Sequence, residues 1–219
     1  MSVLKGHHFI KLNIVTFIVA FCSIIYELVI AQLMSITLGD TFLRYVTTVG
    51  FYLFSLGIGA FIFEYRLKGN LESRLGSVEI CLSFLGMIAP FICFSCPSNY
   101  FFSTIIQYST LILIGILSGF ELPLLMKLYR ENGFVPHLSM SIDYFGSFIA
   151  SLIFPLYLFP SLGILNSCFI VASLNCIVGF VISRNIISRI ILISIFSTGI
   201  FMIFNESSVR MMISVWYFE

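Results

Sequence analysis

Charge is what this sequence has least of. Asp, Glu, Lys and Arg make up 10% of its 219 residues, where a soluble domain carries about 25%. Eleven basic and ten acidic residues leave a net charge of +1, so there is no basic stripe and no footprint for a nucleic acid. Histidine is scarce as well: His7, His8 and His137 do not form a zinc spacing, and no metal site is expected. Two glycines never adjoin, and no GxGxxG or phosphate-cradling loop occurs, so no bound cofactor and no catalytic constellation are expected. Long polar loops, Pro/Ser linkers and low-complexity tracts are missing too, which excludes a second domain within these residues.

What fills the chain instead is apolar: 59% of residues are hydrophobic and the mean hydropathy is +1.09. No soluble core absorbs that share, so the solvent must be a bilayer, and only helices or closed barrels satisfy their backbone there. Seven runs of about 20 residues each match a hydrocarbon core of roughly 30 Å: Leu12–Leu38, Val46–Phe63, Val78–Cys96, Phe101–Met126, Leu138–Phe159, Ile164–Ile182 and Ile187–Phe204. The expected fold is an all-α, polytopic bundle of about seven transmembrane helices over 1–205. A short tail, 206–219, is expected to lie at the interface through Met211, Met212, Val215 and Trp216. The first run is too long for the apolar part of a signal peptide and is read as the first span. Pro90, Pro123 and Pro155 fall in or near the spans, where neighbouring helices can satisfy the carbonyls they free.

The basic residues are unevenly distributed. Lys5, Lys11, Arg66, Lys68, Arg74, Lys127, Arg130, Arg184 and Arg189 share one side, leaving Arg44 and Arg210 on the other. The positive-inside rule then puts the N-terminus in the cytoplasm, and seven spans leave the tail outside. Most of the six cysteines lie within spans, where a free thiol behaves as a small apolar residue. Cys93-Phe-Ser-Cys96 is a CxxC without a second pair or a strand–helix context, so it reads as coincidence or as a disulfide on the outer face.

Against this background the acids inside spans stand out. Glu27, Glu121 and Asp143 each sit in a run that holds no Lys or Arg. An ionised side chain at the centre of a spanning helix costs roughly 3 kcal/mol on insertion scales. Either the three are protonated and bridge helices through hydrogen bonds, or they form a site for a cation or a proton. Ser23, Glu27 and Ala31 share one face of the first span; Asp143, Ser147 and Ser151 share one face of the fifth. Gly115 and Gly119 form a GxxxG surface beside Glu121, and Gly57, Gly59 and Gly146 are further candidates for close helix packing. Tyr26 and Tyr144 offer cation–π contacts to a bound amine, and Gln32 completes the candidate binding set. Glu64 and Glu79 fall near cytoplasmic ends, within reach of Arg66, Lys68 and Arg74, and are read as interfacial. Ser23…Tyr26-Glu27-Leu28 echoes Ser118…Phe120-Glu121-Leu122, each followed by a Tyr/Ser span. Such an echo three spans apart is what an inverted three-helix repeat leaves behind.

Ser23-Ile-Ile-Tyr26-Glu27-Leu-Val-Ile-Ala-Gln32-Leu followed by Leu38-Gly39-Asp40-Thr41 resembles the first helix of membrane-bound bacterial polyamine aminopropyltransferases, the spermidine synthase-like proteins. Leu56-Gly57-Ile58-Gly59-Ala60, Ser118-Gly119-Phe-Glu121-Leu122-Pro123 and Asp143-Tyr144-Phe-Gly146-Ser147 follow in the same order, and the resemblance runs from about Asn13 to Phe204. It implies a bacterial inner-membrane location and membrane helices that precede a doubly wound synthase domain. That domain transfers an aminopropyl group from decarboxylated S-adenosylmethionine to putrescine. Residues 1–219 stop at Trp216-Tyr-Phe-Glu219, about where it would begin, so the chain is not expected to be an enzyme by itself. A cytoplasmic synthase would require the bundle to end inside, whereas seven spans from a cytoplasmic N-terminus end outside. Two functions remain open. One is a module that binds or moves a polyamine-like cation; the other is an anchor or assembly partner for a soluble aminopropyltransferase. The bilayer is a partner in both.

Overall fold

The computed structural model describes residues 2–66, 70–94, 100–183 and 185–211. The Glu64 side chain, Cys96 and the tail beyond Met211 lie outside what is described. Among the described residues seven α-helices follow one another: α1 Ser2–Leu38, α2 Thr41–Arg66, α3 Leu71–Phe94, α4 Tyr100–Glu131, α5 His137–Ile153, α6 Phe159–Ile182 and α7 Ile186–Phe204. No strand occurs among the described residues. Six stretches are long and apolar enough to cross a membrane when the 46 residues His137–Ile182 are taken as one, although Gly163 breaks the helix within that stretch.

Two local features shape that run. Pro155 has no N–H to donate, and the backbone widens into a π-helical turn over Phe154–Leu158, a common answer to a broken i→i−4 ladder. Gly163 then takes φ 75° and ψ 176°, which only glycine adopts freely. The chain reverses there. The Phe9 ring packs on Phe134, just before α5, and Lys11 Nζ donates to the carbonyl of Val181 at the end of α6. The start of α5 and the end of α6 thus lie at the same end of α1, so the two are antiparallel.

The remaining turns follow ordinary chemistry. Gly39 and Asp40 take positive φ between α1 and α2, and Asp40 Oδ1 accepts from the Leu43 N–H as an N-cap. Asn70 Oδ1 accepts from the N–H groups of Glu72 and Ser73 to start α3. At the end of α6, Arg189 Nε donates to the Ser183 carbonyl; this and the Lys11 bond put cations on otherwise orphaned carbonyls. Lys11, Lys127 and Arg189 share this basic end, where Lys127 sits over the Phe63 ring at the end of α2. Arg44 lies at the opposite end, against Tyr100 and Tyr108.

The bundle core is built on α1, which touches α2, α3, α4, α5 and α6. Outward faces are apolar, with Phe42 80% and Phe204 83% exposed, as expected where lipid rather than water is the solvent. The packing also follows the internal echo. Exchanging the first three helices with the next three maps the α2–α4 contact onto α5–α1 and the α3–α4 contact onto α6–α1, and keeps α3 against α6. Helix α7 stands outside that exchange and packs on α6 and α3.

Candidate functional site: a buried carboxylate pair beside a cleft

Helices α2 and α4 cross with their backbones in contact. A Cβ on Gly59 would lie 2.2 Å from the Ile116 carbonyl oxygen, and one on Gly119 would lie 2.4 Å from that of Leu56. Gly115 abuts Ser55, and Gly146 of α5 meets the Phe17 carbonyl of α1. Gly57 has nothing within 4 Å: it borders open space, so the packing role expected for it is corrected.

That space is a cleft of about 380 Å³ with α1 and α4 at its back and α2 and α5 at its sides. Its polar lining is Ser23 from α1, Ser118 and Glu121 from α4, and Asp143 and Ser147 from α5. Pro123 also lines it, and small residues at Gly57, Ala60 and Gly119 leave it unfilled. Its volume lies within the roughly 300–1,000 Å³ of small-molecule sites.

Behind the cleft the Glu121 carboxyl lies against a second one, Glu79 of α3. Glu79 is 0% exposed and Glu121 is 3% exposed. Neither Glu79 oxygen finds a hydrogen-bond donor, nor does Oε1 of Glu121. Around the pair stand Cys22 and Tyr26 of α1, Ser83 one turn along α3, and Asn175 and Cys176 of α6. The Tyr26 hydroxyl donates to the Leu82 carbonyl at 3.4 Å and accepts from Asn175 Nδ2 at 3.5 Å. Helix α6 comes close because Gly179 presents bare backbone, its added Cβ falling 3.0 Å from the Glu79 Cβ. Among the described residues no Lys or Arg forms an ion pair with Glu27, Glu79, Glu121 or Asp143. Two adjoining carboxylates in hydrocarbon cannot both be ionised without a cation between or beside them.

The sequence-expected residues divide into groups. Glu121 and Asp143 meet at the cleft. Glu27 is buried at 7% exposure, one turn above Ser23, whose hydroxyl hydrogen-bonds the Tyr52 hydroxyl at 2.9 Å. Tyr26 faces the Glu79 side rather than the cleft. Tyr144 does not join either: it is 64% exposed on the outer face of α5. Gln32 is engaged elsewhere, its Oε1 accepting from the Tyr45 hydroxyl at 2.6 Å.

Glu79 overturns its interfacial reading. Helix α3 begins at Leu71 rather than near Val78, which puts Glu79 about 12 Å inside the helix at 1.5 Å per residue. A signal was present in the sequence. Gly76, Glu79, Ser83, Gly86 and Pro90 recur at three- and four-residue spacing and make a small, polar face of the kind that packs inward. Asn175 was also missed; Asn166, Ser167, Ser173 and Asn175 are the buried polar residues of its largely apolar run.

Comparison with known proteins points one way. The chain is similar to polyamine aminopropyltransferases. It is 33% identical over 171 residues to polyamine aminopropyltransferase 2 of Ralstonia nicotianae, a match covering 75% of this chain and 33% of the relative. The polyamine aminopropyltransferase of Leptospira interrogans is 32% identical over 167 residues, again 75% of this chain and 33% of the relative. That of Oceanobacillus iheyensis is 30% identical over 171 residues, with the same coverage. The chain thus spans about one third of the length of the curated relatives it matches. No family model matches, and no solved structure matches.

Proposed function

We propose that this bundle is a membrane module that binds an organic polycation of the polyamine class in the α1–α2–α4–α5 cleft. Glu121 and Asp143 are the counter-charges that meet its ammonium groups, with Glu27 further along α1. The observation that carries the reading is a set of inward-facing carboxylates with no Lys or Arg paired to them among the described residues. An ammonium in the cleft would repay the cost of ionising them in hydrocarbon. The likeness to proteins named polyamine aminopropyltransferases selects the class of cation. By the positive-inside rule the basic end faces the cytoplasm of a bacterial inner membrane.

The test is direct binding of spermidine and putrescine to purified protein and to a Glu27→Gln/Glu121→Gln/Asp143→Asn variant. The account expects at least a tenfold loss of affinity in the variant; equal affinities would end it.

The one-third coverage of the relatives favours a companion reading, in which the bundle seats an aminopropyltransferase domain at the membrane. On that reading aminopropyl transfer belongs to a catalytic domain outside the bundle. Co-purification of a soluble aminopropyltransferase would survive the triple substitution and fail when Gly115 and Gly119 are enlarged. Retention of the enzyme by the enlarged variant would contradict it.

A further inference from the structure

Glu79 has no place in the cleft, yet it is the most completely buried acid of the described chain. Its carboxyl is separated from the cleft by that of Glu121, and both of its oxygens lack a donor. Among the described residues, every group shown facing the pair is neutral or acidic. Helix α1 contributes Cys22 and Tyr26, the latter backed by Asn175 of α6; α2 contributes Tyr52, α3 Ser83, α5 Asp143 and α6 Cys176. From α7, apolar Leu192 packs beside Gly179, the residue against which Glu79 also lies. Among the described residues no Lys or Arg pairs with either acid, and none of the hydroxyl, thiol and amide groups nearby hydrogen-bonds a Glu79 oxygen, so the charges left to offset the pair are a proton carried by the pair itself and a cation arriving through the cleft.

We infer that Glu79 is a positioning residue that holds a proton shared with Glu121, so that cation binding in the cleft and proton occupancy of the pair exclude each other. This deepens the polyamine reading and rests on it. In the unliganded state one proton bridges Glu79 and Glu121, the protonated oxygen donating to the other carboxyl. When an ammonium group enters beside Glu121 and Asp143, it supplies the positive charge and the donors that the proton supplied before. One proton then leaves the pair for bulk water, and its charge is replaced by that of the ammonium. No bond other than O–H breaks, and no redox partner is needed. Linkage fixes the sign: if one proton is displaced per cation, affinity rises with pH, tenfold per unit over the range in which the pair still holds its proton.

The test uses the full chain in nanodiscs with spermidine as the probe. Binding is measured by calorimetry in buffers of different ionisation enthalpy and across pH. Wild-type protein is expected to release about one proton per spermidine, with the tenfold-per-unit slope. In Glu79→Gln the amide donates to Glu121 without a titrating proton. That variant is expected to bind spermidine with a pH slope near zero and no proton release, which a purely structural role for Glu79 would not produce. The same slope and release in Glu79→Gln as in wild type, or a wild-type slope of zero with spermidine bound, overturns the inference and leaves the cleft reading standing. Failure of wild type to bind spermidine overturns both. Should Glu79→Gln not fold, infrared spectra of wild-type protein decide. A protonated-carboxyl band that disappears on adding spermidine supports the inference, and a spectrum without that change overturns it.

Discussion

Replacing Gly59 with alanine probes the contact that shapes the cleft. The new methyl would start 2.2 Å from the Ile116 carbonyl oxygen and 2.9 Å from the Gly119 Cα. Both obstacles are backbone, so neither rotates away. Ordinary contact begins at 3.4 Å, so α2 must move off α4 by more than 1 Å. Overpacking of this kind costs about 1–3 kcal/mol, and the absence of a yielding side chain places it in the upper part of that range. The gain in helix propensity from Gly to Ala, up to about 1 kcal/mol, offsets part of it. Gly57→Ala is the control two residues away. With nothing within 4 Å, it keeps the propensity gain and meets no clash, so it is neutral or slightly stabilising. The propensity gain cancels between the two alanines, so they should differ by the clash alone, about 2–3 kcal/mol, or roughly 30- to 160-fold in the folding equilibrium. Unfolding in mixed micelles titrated with sodium dodecyl sulfate, followed by circular dichroism, measures this difference. Equal midpoints for the two variants would refute the backbone crossing.

Other expectations follow from single contacts. Gly86→Ala should destabilise by about 2 kcal/mol or more, since its Cβ would enter the Tyr26 ring at 2.3 Å and the ring is walled in; thermal unfolding checks it. Tyr26→Phe, which keeps the ring and loses only the bonds to Leu82 and Asn175, should cost about 1 kcal/mol in the same assay. Gln32→Ala should leave spermidine affinity unchanged, because that amide is held by Tyr45; a tenfold loss in a binding titration would place it in the site after all. Single cysteines introduced at His8 and Ser141, near the basic end, should be labelled only from the cytoplasmic side by a membrane-impermeant maleimide. Labelling from outside would invert the orientation.

Much of the bundle could be read from hydropathy because lipid imposes one rule on every span: close the backbone and keep the outside apolar. The break between Phe159 and Ile164 was visible as a dip in apolar character, and Gly163 supplies it in the structure. Helix starts were less legible, since an amphipathic first turn in the headgroup region looks polar. That is how Leu71–Ser77 was left outside the third span and Glu79 was assigned to the surface. The short 132–136 connection, visible in the sequence, joins the helices of Glu121 and Asp143 at one end, and both residues line the same cleft. The orientation of an aromatic side chain was not legible. Tyr26 and Tyr144 differ in sequence by little more than their neighbours, yet Gly86 makes room for one while the other faces outward. The choice depends on which helix comes to lie opposite, and no spacing within a single span contains that information.

Protection from a hydrophobic carbodiimide tests the central claim most directly. N,N′-dicyclohexylcarbodiimide reaches carboxyl groups from within the membrane, and mass spectrometry of peptides locates the adduct. The account predicts modification at Glu121 or Asp143, slowed at least tenfold by spermidine but not by an equal ionic strength of sodium chloride. Modification of these residues at the same rate with and without spermidine would contradict it.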